Sequence, residues 1–235
     1  MTGLVNSIQS LAAVDGPGVR FAVFMQGCHL RCGYCHNPDT WDIYDGTEYT
    51  AEEIADRCER YREYFGNDGG ITVSGGEPLL QAEFVGEVFR LCRERGINTC
   101  LDTSGAVPID DAVKRTLSFT DRVLLDIKFA NDEMYMIHTG SSGELPLGFL
   151  EYLSLKDIPT TLRRVIVSGL TDDVDGIGEL RRIADSHRCV DKIELLPFRK
   201  MCSVKYEKMG MKFPFEIYDE PSLSDMERLN CILSD

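Results

Sequence analysis

The chain has 235 residues, enough for a domain with a substantial core. It is 43% hydrophobic and 27% charged, an ordinary globular balance, and no apolar run approaches membrane-spanning length. The formal charge of −14, from 25 basic and 39 acidic side chains, argues against a nucleic-acid or anionic-membrane surface and leaves a specific protein partner open.

The first residues, Met1, Thr2, Gly3 and Leu4, lack a basic region followed by an apolar stretch, so no signal peptide is expected. Nine cysteines, an odd count, then point to a reducing cytoplasm. Residues 20–26 read as a strand, and a cysteine-bearing loop follows it directly. Thr50 opens a helix, with Glu53 placed to complete a capping box, and the helix is expected to run to about Phe65. Residues 71–74 form a strand ending in Gly75-Gly76-Glu77-Pro78. A helix over 81–95 stops at Gly96, and a strand over 97–102 ends in Thr103-Ser104-Gly105. A helix near 110–117 precedes a strand over 122–128. Further strands cover 160–168 and 192–196, separated by a helix near 176–186, and a last helix spans about 223–233. There is no internal repeat, low-complexity tract or linker, so one domain is expected over residues 1–235.

Strands alternating with helices imply a parallel sheet with right-handed crossovers. Six such units are fewer than the eight of a closed barrel. The expected fold is therefore α/β, an open partial (β/α)6 barrel, with a doubly wound sheet as the alternative. Either architecture binds ligands at the carboxyl ends of its strands. There this sequence gathers its unusual residues: the cysteine loop, Gly75-Gly76-Glu77, Asp102-Thr103, Asp126-Ile127-Lys128 and Pro197-Phe198-Arg199.

Cys28, Cys32 and Cys35 share that one loop, spaced C-x3-C-x2-C, with Tyr34 just before the last. Soft thiolates select zinc, copper(I) or iron–sulfur clusters. A closed structural zinc site wants four ligands, and only His29 and His36 are near enough in sequence to complete one. A [4Fe-4S] cluster held by three cysteines leaves one iron open for an exogenous ligand, which makes a catalytic site. The other cysteines, Cys58, Cys92, Cys100, Cys189, Cys202 and Cys231, are scattered and read as core residues or inert thiols.

This triplet resembles the signature of the radical S-adenosylmethionine (SAM) superfamily. Further segments narrow the resemblance: Val14-Asp15-Gly16-Pro17-Gly18-Val19-Arg20, Tyr34-Cys35-His36-Asn37, Thr72-Val73-Ser74-Gly75-Gly76-Glu77-Pro78, Cys100-Leu101-Asp102-Thr103-Ser104-Gly105, Leu125-Asp126-Ile127-Lys128 and Ile193-Glu194-Leu195-Leu196-Pro197. Together they look like the pyruvate formate-lyase activating enzymes, over nearly the whole chain. The resemblance implies an oxidoreductase of anaerobic metabolism. Such an enzyme cleaves S-adenosylmethionine reductively at a [4Fe-4S] cluster and takes hydrogen from a glycine Cα of pyruvate formate-lyase.

It also implies roles for residues. Cys28, Cys32 and Cys35 hold the cluster and are catalytic. Tyr34, His36, Gly75, Gly76, Glu77, Asp126, Ile127, Lys128, Arg163 and Arg199 join Cys35 in contacting S-adenosylmethionine. Asp102, Thr103, Leu124 by its carbonyl, and Asp126 form a monovalent-cation site, and Asp15, Gly16, Pro17 and Gly18 meet the partner's glycyl loop. Arg164 should face away from Arg163 by strand alternation. The implied partners are pyruvate formate-lyase and a flavodoxin- or ferredoxin-type electron donor, with the chain a monomer that binds neither nucleic acid nor membrane.

Two positions depart from the family pattern: Arg199 replaces a histidine and Cys202 a glycine. No second cysteine array lies between Cys35 and Gly75, which argues against activators with an inserted ferredoxin-like domain. Other readings are an activator of another glycyl-radical enzyme, a small-molecule radical enzyme, an iron–sulfur electron carrier and a zinc-binding interaction module.

Overall fold

Strand-forming and capping signals in the sequence set most of the elements in the computed structural model, which describes residues 1–234. Asp235, the end of the expected domain, lies outside the described residues. The chain packs as two compact units. The first comprises Met1–His29, Thr40–Thr103 and Val107–Leu124; the second comprises Leu30–Asp39, Ser104–Ala106 and the chain from Leu125 onward.

In the first unit, β1 (Thr2–Ala12) pairs antiparallel with β2 (Arg20–Met25) and with β3 (Thr47–Thr50). α1 (Ala51–Glu59) follows, with the expected capping box: Glu53 N–H donates to Thr50 Oγ1 at 3.1 Å, and Thr50 N–H donates to Glu53 Oε2 at 2.8 Å. The helix ends six residues before the expected Phe65. Tyr61 packs its ring on Phe21 at 5.7 Å between centroids, and residues 62–64 tighten into a 3-10 turn that buries Phe65. β4 (Gly70–Gly75), α2 (Ala82–Glu94), β5 (Asn98–Thr103) and α3 (Asp111–Ser118) come next. β2, β4 and β5 run parallel, with Ala22 opposite Thr72 and Thr72 opposite Cys100. Ile71, Val73, Leu101, Val85, Val88 and Phe89 are fully buried in this unit's core. β6 (Arg122–Asp126) carries the chain from the first unit into the second.

The second unit holds α4 (Asp132–Thr139), α5 (Glu144–Leu155), β7 (Thr160–Ile166), α6 (Val174–Ser186), β8 (Val190–Pro197), α7 (Ser203–Lys208) and α8 (Leu223–Ser234). β7 and β8 run parallel.

The strand order is β3-β1-β2-β4-β5-β6-β7-β8, so the sheet is open and ends at β3 and β8. The six strands expected from sequence stand in chain order. A doubly wound sheet would reverse its order at a switch point; this one does not, which decides for the open (β/α)6 arrangement. β1 and β3 are an antiparallel addition that the sequence reading lacked. The reason lies in β1 itself: its ladder with β2 shifts register between Val5 and Ser7 and again between Gln9 and Ala12, so no single alternation runs along it.

Candidate functional site

In the first unit the chain leaves β2 through Gln26 and Gly27 to Cys28. Gln26 is pinned from its side chain: Nε2 donates to Asp42 O at 2.7 Å, and Oε1 accepts from Asn6 Nδ2 at 3.0 Å. Gly27 N–H donates to Thr40 O at 2.8 Å. The Gly75-Gly76-Glu77 segment, at the carboxyl end of β4, lies against this stretch. Gly76 N–H donates to Met25 O at 3.0 Å and Glu77 N–H to Gly27 O at 2.8 Å. Gly75 has φ +108°, and a Cβ on Gly76 would meet Gly27 O at 2.1 Å. The close approach these glycines permit is thus to the base of the cysteine loop. Glu77 is fully buried, and its Oε1 accepts from Thr103 Oγ1 at 2.6 Å and from Leu79 N–H at 3.1 Å. Asp102 Oδ2 accepts from Ser74 Oγ at 2.8 Å. Ser74, Glu77, Asp102 and Thr103 thus link the carboxyl ends of β4 and β5. Leu124, on β6, is buried.

Asp15, Gly16, Pro17 and Gly18 were expected ahead of the first strand. They instead connect β1 to β2, and Thr72 Oγ1 donates to Asp15 O at 2.7 Å. A Cβ on Gly16 would stand 3.4 Å from Cys100 Sγ. Thr72 and Cys100 share a strand face with Ser74 and Asp102, so the segment lies on that face two residues toward the strand beginnings. Arg20, which sequence reasoning passed over, holds it there. The buried guanidinium donates to Thr72 Oγ1 (2.9 Å), Ile71 O (2.5 Å), Asp68 O (3.0 Å), Asn98 Oδ1 (3.0 Å) and, at 3.4 Å, Pro17 O. The only available signal was a charged residue opening an otherwise apolar strand.

In the second unit, Arg31 N–H donates to Thr139 O at 2.8 Å and Gly33 N–H to His138 O at 3.0 Å, fastening the loop to the end of α4. Cys35 N–H donates to Cys32 O at 3.0 Å. Cys32 is buried, and burial pushes its thiol up, an effect that the Lys128 charge opposes. Tyr34 packs its ring against two other aromatic rings. It lies 5.6 Å from Phe215 and 6.1 Å from Phe129, with Lys128 Nζ 6.0 Å from its centroid. Its buried hydroxyl has no hydrogen-bond partner among the described residues, and burial raises it well above the ordinary phenol value.

His36 Nε2 lies 2.9 Å from Arg199 O, while the Arg199 guanidinium pairs with Glu220 at 2.9 Å. The residue replacing the family histidine therefore meets His36 through its backbone and turns its charge to Glu220. Tyr206 Oη donates to Cys35 O at 3.2 Å, and Lys205 Nζ donates to Asn37 Oδ1 and Asp39 Oδ1, both at 2.9 Å. Neither α7 residue was singled out from sequence, since nothing local in a short segment announces a contact about 170 residues away.

Asp126 and Lys128 do come together. Lys128 Nζ donates to Asp126 Oδ2 at 2.9 Å, and Arg163 Nε donates to Asp126 Oδ1 at 3.1 Å. Burial alone would push the Asp126 carboxyl up; the two cations outweigh it and hold it below the usual carboxylate range. Ile127 N–H donates to Arg163 O and its carbonyl accepts from Arg164 Nε, both at 2.9 Å, so its backbone is engaged with β7. Arg164 also donates to Gly176 O at 2.7 Å, on a different set of partners from Arg163, as alternation requires.

Residues 22–180 match the family model of the Radical SAM superfamily. The chain belongs to that superfamily. This radical SAM protein is 42% identical over 233 residues to the pyruvate formate-lyase 1-activating enzyme of Escherichia coli (strain K12), covering 98% of the chain and 95% of that enzyme. It is 39% identical to the pyruvate formate-lyase-activating enzyme of Listeria monocytogenes, over 98% of the chain and 96% of the relative. In fold it is similar to Streptococcus suis SuiB bound to its precursor peptide SuiA, with a TM-score of 0.72 at 17% identity, over 97% of this chain and 46% of that one.

The family implies a [4Fe-4S] cluster and S-adenosylmethionine, and the donor set fits them. Among the described residues no three His, Cys, Asp or Glu side chains gather to chelate a single ion. A cubane asks something else, one thiolate for each of three separate irons, and Cys28, Cys32 and Cys35 on one loop meet that demand. The Lys128 ammonium, felt at Cys32, suits an anionic thiolate cluster. Among the described residues no helix is long and apolar enough to cross a membrane.

Proposed function

We propose that this radical SAM protein activates pyruvate formate-lyase by generating a glycyl radical in it. The observation that carries the reading is the end-to-end identity with the Escherichia coli activating enzyme, 42% over 98% of this chain and 95% of the other. When bound, the cluster and S-adenosylmethionine supply one-electron cleavage of the sulfonium and the means to remove hydrogen from a glycine Cα. Cys28, Cys32 and Cys35 would hold the cluster and leave one iron open. The backbone of Gly75 and Gly76, fixed on the base of the loop, and the cationic groups of Lys128 and Arg163 would hold the amino acid end of S-adenosylmethionine. Asp126 orients both cations, and with Asp102, Thr103 and the Leu124 carbonyl it would hold a monovalent cation. The Tyr34 ring packs against Phe129 and Phe215 and would keep water from that side of the loop. Asp15, Gly16, Pro17 and Gly18 would receive the glycyl loop.

The reading also has the chain acting as a monomer in the cytoplasm, reduced by a flavodoxin- or ferredoxin-type carrier. The odd count of nine cysteines supports a reducing compartment.

The decisive experiment gives the anaerobically reconstituted protein S-adenosylmethionine, reductant and pyruvate formate-lyase carrying deuterated glycine. Deuterium should appear in the methyl group of 5′-deoxyadenosine while a glycyl radical grows in by electron paramagnetic resonance. S-adenosylmethionine cleavage with no transfer from glycine would overturn the reading.

A further inference from the structure

A chain of net charge −14 carries one strongly basic stretch. Residues 199–212 hold five basic side chains, Arg199, Lys200, Lys205, Lys208 and Lys212, against a single acidic one, Glu207. Several large apolar side chains in the same stretch face solvent: Met201 is 78% exposed, Val204 52%, Met209 41% and Met211 37%. Flexible methionines interleaved with cations suit an adaptable protein-binding surface. Arg199 and Lys205 are ion-paired with Glu220 and Asp39. Lys208 and Lys212 are exposed and enter no ion pair among the described residues, leaving two ammonium groups available to a partner.

This stretch is fastened to the cysteine loop. Tyr206 bonds Cys35 O, Arg199 O meets His36 Nε2, and Lys205 bonds Asn37 and Asp39. α7 thus lies directly on the chain that bears Cys35. The segment assigned to the glycyl loop, Asp15 to Gly18, belongs to the other unit.

We infer that the exposed basic and methionine-rich surface of residues 199–212 docks an acidic one-electron carrier protein. The inference rests on the reading above, which requires an electron from outside the chain. An electron needs only a carrier seated close to the cluster, whereas the substrate glycine must reach the reacting atoms. A surface bonded to the cysteine loop meets the first requirement. The carrier gives up one electron and the cluster gains it, and no bond in this chain forms or breaks. Charge complementarity selects an acidic carrier, because a basic one would meet repulsion at Lys208 and Lys212.

The test uses the cluster-loaded protein, with reduced flavodoxin as probe. Flavodoxin should bind with an affinity that falls as salt rises. In K208E/K212E its dissociation constant at low ionic strength should rise on the order of tenfold, and the salt dependence should flatten. K208Q/K212Q should fall between the two. Cluster reduction by flavodoxin should slow in parallel, while reduction by dithionite should not change. An unchanged dissociation constant in K208E/K212E would overturn the inference. So would unchanged flavodoxin binding with lost binding of pyruvate formate-lyase, or a concentration-dependent dimer of this chain that the substitutions abolish. Glycyl-radical formation with dithionite reads the activating function separately, so either claim can fail alone.

Discussion

Asp126 holds two buried cations with one carboxylate, Lys128 on one oxygen and Arg163 on the other. Burial would pull the Lys128 ammonium down, but Asp126 holds it well above its ordinary value. Removing the carboxylate leaves two cations with their shared partner gone, and breaking such a buried pair costs about 3 kcal/mol. The folded-state value of Asp126 is depressed. Its stabilisation is therefore present in full above the unfolded value of about 4 and is lost as pH falls through the lower folded value. Asp126→Asn should accordingly be about 3 kcal/mol less stable than the parent at pH 7. The gap should close below about pH 4 in urea titrations across pH; a gap independent of pH would place the stabilisation elsewhere. Asp126 and Lys128 were legible in the sequence because both fall at the end of one strand, although β6 stops at Asp126 and not at the expected residue 128. The Glu77 bond to Thr103 was not, since it joins residues 26 apart in the chain.

At the scale of elements, Arg20 shows how a loop is fixed by a strand it precedes. Its guanidinium binds β4 through Thr72 and Ile71, β5 through Asn98, and the connecting loops through Asp68 and Pro17. Arg20→Met would retain the apolar stem and leave these buried acceptors unpaired, at about 2–4 kcal/mol. A lower urea midpoint with unchanged slope is the expected result. Because the segment from Asp15 to Gly18 would lose its clamp, glycyl-peptide-dependent cleavage of S-adenosylmethionine should fall further than peptide-independent cleavage. Equal losses would remove the segment from partner binding. α4, whose end holds the cysteine loop at Arg31 and Gly33, escaped the sequence reading although its start and stop are local: Asn131 Oδ1 accepts from Met134 N–H, and Gly140 closes the helix at φ +75°. Its face lacks strong amphipathic patterning, because only Tyr135 and Thr139 are buried.

For the whole molecule, ligand binding and stability are linked. S-adenosylmethionine at a hundredfold over its dissociation constant should stabilise the cluster-loaded protein by about 2.7 kcal/mol. In a chain of this size that raises the melting temperature by about 5–10 °C. Lys128→Ala should shrink the shift at the same ligand concentration. A full shift in that variant would remove Lys128 from the ligand. The sequence by itself determined the cysteine spacing, the alternation of strands and helices, and the glycine and carboxylate punctuation of the strand ends. These are local properties of a backbone that repeats every two or 3.6 residues. Only the tertiary structure decided that Gly76 serves the base of the cysteine loop, that Arg199 turns to Glu220, and that Arg20 clamps the segment from Asp15 to Gly18. Each of those joins residues that chain folding alone brings within hydrogen-bond reach, and no periodicity along the chain encodes which buried donor will find which acceptor.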